Sequence, residues 1–178
     1  MSKSVLILSA SPRKGGNSET LCDQFMLGAT EANHHVDKVV LAEKKINYCT
    51  GCYACAAKGK CAQKDDMALL LDSMIKADVI VMATPVYFYT MCAQMKTVID
   101  RTVARYTEIT NKEFYFIVAA ADNSKAAMER TIEGFRAFTS CLRGAKEKGV
   151  VYGTGAWQVG DILSSRAMKQ AYEMGKAL

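Results

Sequence analysis

The sequence predicts an α/β fold, a three-layer sandwich in which a five-stranded parallel sheet lies between two layers of helices. Short apolar runs rich in β-branched and aromatic residues alternate with longer segments whose apolar residues recur at helical spacing. The two prolines, Pro12 and Pro85, each fall just after a predicted strand. Strict alternation of strands and helices is typical of a parallel sheet, because right-handed crossovers carry helices to both of its faces.

Five apolar runs give the five predicted strands. They cover residues 5–9, 36–41, 79–83, 114–120 and 150–152. With five strands the expected order in the sheet is 2-1-3-4-5, and the order then reverses between strands 1 and 3. Ligands of such sheets bind outside the carboxyl ends of the strands at this reversal, where the loops that contain Pro12 and Pro85 are expected.

Five amphipathic stripes give the predicted helices and most of the predicted core. These helices and the five strands are expected to form a single domain over residues 1–178, because 178 residues is a usual length for one domain. The stripes are Leu21, Phe25, Gly28 and Ala32; Met67, Leu70, Leu71, Met74 and Ile75; Met95, Val98, Ile99 and Thr102; Met128, Ile132, Phe135, Phe138 and Leu142; and Ala167, Met168, Ala171 and Tyr172.

Composition limits the classes of partner. The net charge is +5 and the pI is about 8.8, but the Lys and Arg residues are scattered, so nucleic-acid binding is not expected. The apolar run at residues 5–9 is too short for a signal peptide, and no run has the roughly 20 apolar residues of a membrane span. We therefore expect a cytoplasmic protein without a membrane partner.

The segment SASPRKGGNS, residues 9–18, follows the first strand and has the composition of a phosphate-binding loop. Ser, Arg and Asn side chains surround Gly15 and Gly16, where missing side chains let backbone N–H groups approach an anion. The helix that begins near Ser18 directs its positive end to the same place. The alternative is an ordinary polar turn in which Asn17 or Ser18 caps the helix.

Together with ADVIVMATPVYFYTMCAQMKTVIDR at residues 77–101, this loop closely resembles the NADPH-dependent FMN reductase and iron–sulfur flavoprotein family of the flavodoxin-like superfamily. The resemblance implies a flavodoxin-like three-layer sandwich that binds FMN. It places Ser9, Ser11, Arg13, Asn17, Ser18 and Glu19 around the FMN phosphate, and Thr84, Pro85, Val86, Tyr87 and Phe88 against the isoalloxazine ring. It also implies flavin contacts after strands 4 and 5, at Asp122, Gly153, Gly155 and Trp157.

The aromatic segment Tyr87–Tyr89 is too apolar for a bare surface turn. It is expected to cover the flat flavin ring, to enter a subunit interface, or both, and we predict a homodimer or homotetramer. Lys96 and Arg101 on the next helix are interpreted as solvated or interface-facing residues.

Four cysteines, Cys49, Cys52, Cys55 and Cys61, have the spacing C-x2-C-x2-C-x5-C. Such spacing lets thiolates converge on a [4Fe–4S] cluster and resembles the motif of iron–sulfur flavoproteins. Structural zinc and unmetallated thiols remain alternatives. Asp65 and Asp66, which follow, are interpreted as caps of the next helix.

The predicted function is that of an FMN-dependent oxidoreductase. NAD(P)H gives hydride to the flavin N5, which carries the chemistry, so no catalytic side chain is assigned. The electrons then pass to a quinone, a flavin or another small-molecule acceptor. The alternatives are an iron–sulfur flavoprotein that exchanges electrons with a ferredoxin-like carrier protein, and a flavodoxin-type carrier, which the basic pI disfavours.

Overall fold

The centre of the protein is a sheet of five parallel strands, to which one short antiparallel strand is added. In this computed structural model, which describes residues 1–178, the order is β2-β1-β3-β5-β6, and β4 pairs with β3. The strands are β1 (Ser4–Ser9), β2 (His35–Val40), β3 (Val79–Tyr87), β4 (Thr90–Met91), β5 (Glu113–Ala119) and β6 (Lys146–Gly153).

Helices cover both faces of the sheet. They are α1 (Asn17–Glu31), α2 (Ala54–Lys58), α3 (Met67–Lys76), α4 (Ala93–Arg101), α5 (Glu129–Ser140) and α6 (Arg166–Lys176). Because strand side chains alternate between faces, Leu6 and Leu8 pack in the core beneath α3, α4 and α5, whereas Val5 and Ile7 pack beneath α1 and α6. None of the helices combines the length and the apolar character needed to cross a lipid bilayer.

The predicted fold class and strand order are confirmed, and the strand ends differ for two physical reasons. β3 continues through Pro85. Proline has no N–H to donate, but β1 already ends opposite Ala83, so no hydrogen bond between β3 and β1 is lost at this residue. β6 begins at Lys146, before its apolar run, because an edge strand needs a backbone ladder rather than buried side chains there. The short strand β4, which was not predicted, directly follows the aromatic segment Tyr87–Tyr89.

Candidate functional site

The loop between β1 and α1 is tightly folded around its own backbone. The Ser11 hydroxyl donates to the Arg13 carbonyl at 3.0 Å and accepts from the Arg13 N–H at 3.2 Å. The Glu19 carboxylate accepts from the Gly15 N–H at 2.9 Å. A Cβ on Gly16 would collide with the Ser11 hydroxyl and lie 3.0 Å from the Arg13 carbonyl, so only glycine fits there.

The N-terminus of α1 is left uncapped at this loop. The preceding residue, Gly16, offers no capping side chain, and the N–H groups of Asn17, Ser18 and Glu19 have no acceptor in the chain. The Ser18 hydroxyl is buried and also lacks a hydrogen-bond partner. Unpaired donors at a positive helix end are an anion site, so these residues fit a phosphate, and neither Asn17 nor Ser18 is a helix cap.

Two predicted phosphate ligands connect this loop to the segment after β6. The Asn17 amide donates to the Gln158 carbonyl at 2.8 Å and accepts from the Gly160 N–H at 3.2 Å. The Arg13 guanidinium donates to the Trp157 carbonyl at 3.0 Å. Both side chains also line the cleft that is described next. In this structure they therefore hold the two segments together at the edge of the cleft.

A cleft lies beside the uncapped helix end, at the carboxyl ends of β3 and β5. It encloses about 60 Å³, well below the roughly 300–1,000 Å³ of a pocket that buries a whole ligand, so an FMN bound here would keep part of its surface open. Ala119 and Ala120 were not among the predicted residues, although their signal, an alanine run at a strand end, is present in the sequence. The lining consists of Ser11, Arg13, Asn17, Ser18, Pro85, Val86, Tyr87, Ala119, Ala120, Ala121, Ala156 and Trp157.

Three predicted FMN ligands do not line this cleft. The Thr84 hydroxyl is buried and accepts from the Cys92 N–H at 3.0 Å, which ties the end of β3 to the start of α4. The buried Ser9 hydroxyl lies beside the Cys22 thiol, whose pKa burial raises to about 12. The Glu19 carboxylate is paired with Lys38 at 3.3 Å and with the loop backbone. Their expected role against FMN stays a prediction.

The residues predicted after β5 and β6 shape the backbone near the cleft. Gly153 is tightly enclosed: a Cβ there would lie 2.8 Å from Ile162 Cδ1, which would have to shift, and 3.3 Å from the Val118 carbonyl oxygen. Gly155 has φ +68°, a left-handed conformation that favours glycine. The Asp122 carboxylate accepts from the Ser124 N–H at 2.7 Å. Of this group only Trp157 lines the cleft, and its side chain is 67% exposed.

The aromatic segment forms a strained hairpin beside the cleft. Tyr87 pairs with Thr90, and the two residues between them, Phe88 and Tyr89, have φ +48° and +64°. Such a turn prefers Asn-Gly, and a left-handed conformation costs other residues about 1–2 kcal/mol each. Thr131 donates to the Tyr89 carbonyl at 3.3 Å, which holds the hairpin on α5. The Phe88 side chain is 98% exposed.

The four cysteines of the segment between β2 and α3 surround one small cavity of about 30 Å³. Hydrogen bonds from the Ala54 N–H and the Thr50 hydroxyl lower the pKa of the Cys52 thiol. No group of three or more His, Cys, Asp or Glu side chains is placed to hold a single metal ion. Thiolates are the ligands of iron–sulfur clusters, so these four side chains are the residues that would hold one.

Arg101, predicted at the surface, is only 1% exposed, and that prediction is wrong. Its guanidinium forms two bonds with the equally buried Asp65, at 2.7 and 2.9 Å. The guanidinium holds the pKa of Asp65 below its usual value. Asp65 also accepts from the Met67 N–H at 3.2 Å, as a cap would, but Asp66 binds the Lys45 N–H instead. Both carboxylates thus anchor the cysteine segment.

A doubly wound parallel sheet with an uncapped helix end and a small-residue cleft at the strand-order reversal is the arrangement in which flavodoxin-like α/β proteins bind FMN. The chain belongs to the NADPH-dependent FMN reductase family, whose model matches residues 4–144. The predicted family is thereby confirmed.

Individual relatives place the chain within this family. It is 46% identical over 99 residues to an iron–sulfur flavoprotein of Archaeoglobus fulgidus, which covers 56% of the chain and 44% of that protein. It is 37% identical over 98 residues to an iron–sulfur flavoprotein of Methanocaldococcus jannaschii, with 55% and 51% covered. The chain thus spans about half the length of these relatives. An azoreductase structure from Bacillus anthracis superposes with a TM-score of 0.77 at 19% identity over 100% of both chains, a likeness of fold.

Proposed function

We propose that the protein takes electrons from NAD(P)H through bound FMN and passes them to a small-molecule acceptor such as a quinone or a flavin. One observation carries this proposal: the three unpaired N–H groups and the unpaired Ser18 hydroxyl at the start of α1, next to a cleft at the strand-order reversal. Family membership supplies the cofactor that matches these donors.

The chain's own residues bind and orient the cofactor in this proposal. The α1 N-terminus holds the phosphate, which carries roughly −1.5 to −2 charges. Pro85–Tyr87 and the alanines at residues 119–121 line the cleft and would contact the flavin ring. FMN, when bound, supplies the hydride-accepting chemistry. No side chain of the cleft is needed as an acid or base.

We also propose that the 178 residues form one FMN-binding domain that associates into a homodimer or homotetramer. The shallow cleft leaves a flavin face open, and Tyr87, Phe88 and Trp157 expose aromatic surface beside it. Burying that surface against a second copy would exclude water from the ring. The seven free cysteines support a reducing compartment such as the cytoplasm.

The test is steady-state oxidation of NADH and NADPH by FMN-loaded protein with quinone, free flavin or an azo dye as acceptor. The expected result is turnover with at least one acceptor and anaerobic bleaching of the flavin band by one nicotinamide. A flavin that binds but is not reduced by either nicotinamide would reject the enzyme and leave a flavodoxin-type carrier. Light scattering at the 19.5 kDa monomer mass would reject the oligomer.

A second candidate, an iron–sulfur flavoprotein that exchanges electrons with a carrier protein, is favoured by the shared cavity of the four cysteines. The names of the two relatives above support it. Helix α4 lies between the two candidate sites and supports this proposal. The Cys92 thiol before α4 donates to the Ala10 carbonyl at 3.2 Å, and α4 ends at Arg101 beside Cys61. Nine helical steps of 1.5 Å separate Cys92 and Arg101 by about 14 Å.

Anaerobic reconstitution tests this candidate. We expect about four iron and four sulfide per chain, the ligand demand of one cubane matched by four thiolates. Cys52→Ser is expected to lose iron and keep FMN, because the phosphate loop lies elsewhere. Cys141→Ser, at an exposed cysteine outside the segment, is the matched control and is expected to keep both. Wild-type protein that binds FMN but no iron would reject the cluster.

A further inference from the structure

We propose that Arg101 is a positioning residue of the cysteine site, which clamps both ends of the cysteine-bearing segment and orients the Cys61 sulfur. This inference rests on the second candidate function, in which the segment holds a [4Fe–4S] cluster. It assigns a role to a buried cation that the flavin cleft does not use.

The contacts of the guanidinium reach residues on both sides of the four cysteines. Before them, it donates to the Asn47 carbonyl at 2.6 Å. After them, it donates to the Gln63 side-chain oxygen at 3.4 Å and to the Asp65 carboxylate. Between these anchors, it donates to Cys61 Sγ at 3.4 Å. One side chain therefore closes the loop that spans residues 47–65.

The burial of this ion pair indicates a role beyond stability. Arg101 and Asp65 side chains are each 1% exposed, and the Arg101 Nε has no partner. A buried ion pair pays a large desolvation penalty and is often no more stabilising than apolar residues of similar volume. The planar guanidinium of Arg101 holds several hydrogen-bond donors in fixed directions, which an apolar pair cannot do.

The N–H···S contact has a consequence for a cluster bound to Cys61. Gaining one electron makes the cluster and its ligand sulfurs more negative, and a hydrogen bond to a ligand sulfur then stabilises the reduced form more than the oxidised one. Arg101 therefore raises the midpoint potential. Because Arg101 is the last residue of α4, whose other end meets the flavin loops, its position is fixed relative to both sites.

The variants are Arg101→Lys, which keeps the charge but loses the fork, and the neutral double variant Arg101→Gln with Asp65→Asn. The control is Arg105→Lys, because the Arg105 side chain pairs with Asp72 and Glu108 and forms no hydrogen bond or ion pair with a residue of the clamp. Both Arg101 variants are expected to bind FMN as wild type does. Their reconstituted clusters are expected to show a more negative midpoint potential by EPR-monitored titration, with unchanged potential in the control.

Limited trypsin digestion of metal-free protein provides a readout that is independent of the cluster. Lys58, Lys60 and Lys64 are cleavage sites inside the clamped segment. Cleavage there is expected to become at least about tenfold faster in both Arg101 variants, because it follows the population of the opened segment, and to stay at the wild-type rate in the control.

The outcomes separate the two proposals. If wild-type protein holds no iron, the cluster proposal is rejected. The digestion experiment alone then tests whether Arg101 clamps the segment. Wild-type potential in iron-replete Arg101 variants overturns the sulfur contact, and wild-type cleavage rates overturn the clamp. Loss of FMN from both variants overturns the assignment as well, because Arg101 would then support the whole fold rather than the cysteine site.

Discussion

Ser18→Ala is expected to change FMN affinity and the stability of the FMN-free protein in opposite directions. The Ser18 hydroxyl is buried, lines the cleft and has no partner in the chain. Leaving a hydroxyl buried and unpaired costs about 1–3 kcal/mol, so its removal should raise the free energy of unfolding by up to that amount. A hydrogen bond to a charged phosphate contributes about 1.5–3 kcal/mol, so the dissociation constant of FMN should rise about ten- to a hundredfold.

The assays are urea unfolding of the FMN-free protein and fluorescence titration of FMN. Ser9→Ala is the matched control, because the Ser9 hydroxyl is also buried and unpaired but lies beside Cys22 rather than in the cleft. It should stabilise the FMN-free protein, and it should weaken FMN less than Ser18→Ala does, because Ser9 does not line the cleft. An FMN affinity within twofold of wild type in Ser18→Ala would refute the anion site, and equal losses in both variants would refute the distinction between the two serines.

Three further outcomes are expected. Arg13→Ala should weaken FMN by about ten- to a hundredfold with little change in the urea midpoint, because its charged donor flanks the cleft and is exposed; unchanged affinity in equilibrium dialysis would contradict this. Phe88→Asn should raise protomer stability by about 1 kcal/mol, because Asn tolerates the left-handed turn, and should weaken association in light scattering; undiminished association would place the interface elsewhere. The lowered pKa of Asp65 means that its ion pair stabilises the cysteine segment at pH values above the ordinary 3.8 and is lost as pH falls through the lowered value. Hydrogen exchange over residues 47–65 should therefore accelerate in acid, and Asp65→Asn should remove this pH dependence.

The sequence alone determined the sheet, its strand order and the two chemically distinctive segments. These depend on local patterns: apolar periodicity fixes which residues face the core, and the strand order follows from five alternating strands and helices. The glycine pair in the phosphate loop and the four-cysteine spacing are equally local. Each can be recognised within about 20 residues of chain. The structure moved the end of β3 and the start of β6, and it added the short strand β4 and the short helix α2.

Tertiary structure alone decided what individual side chains do. The sequence predicts Asn17 as a hydrogen-bond donor to phosphate. In the structure its amide binds backbone groups more than 140 residues further along the chain. Thr84 turns into the core to meet Cys92. Arg101 ends an ordinary amphipathic helix, and only the packing of a segment 36 positions earlier against that helix end buries it on Asp65. The partner of a side chain depends on which distant segment packs over it. Local periodicity in the sequence does not predict that contact.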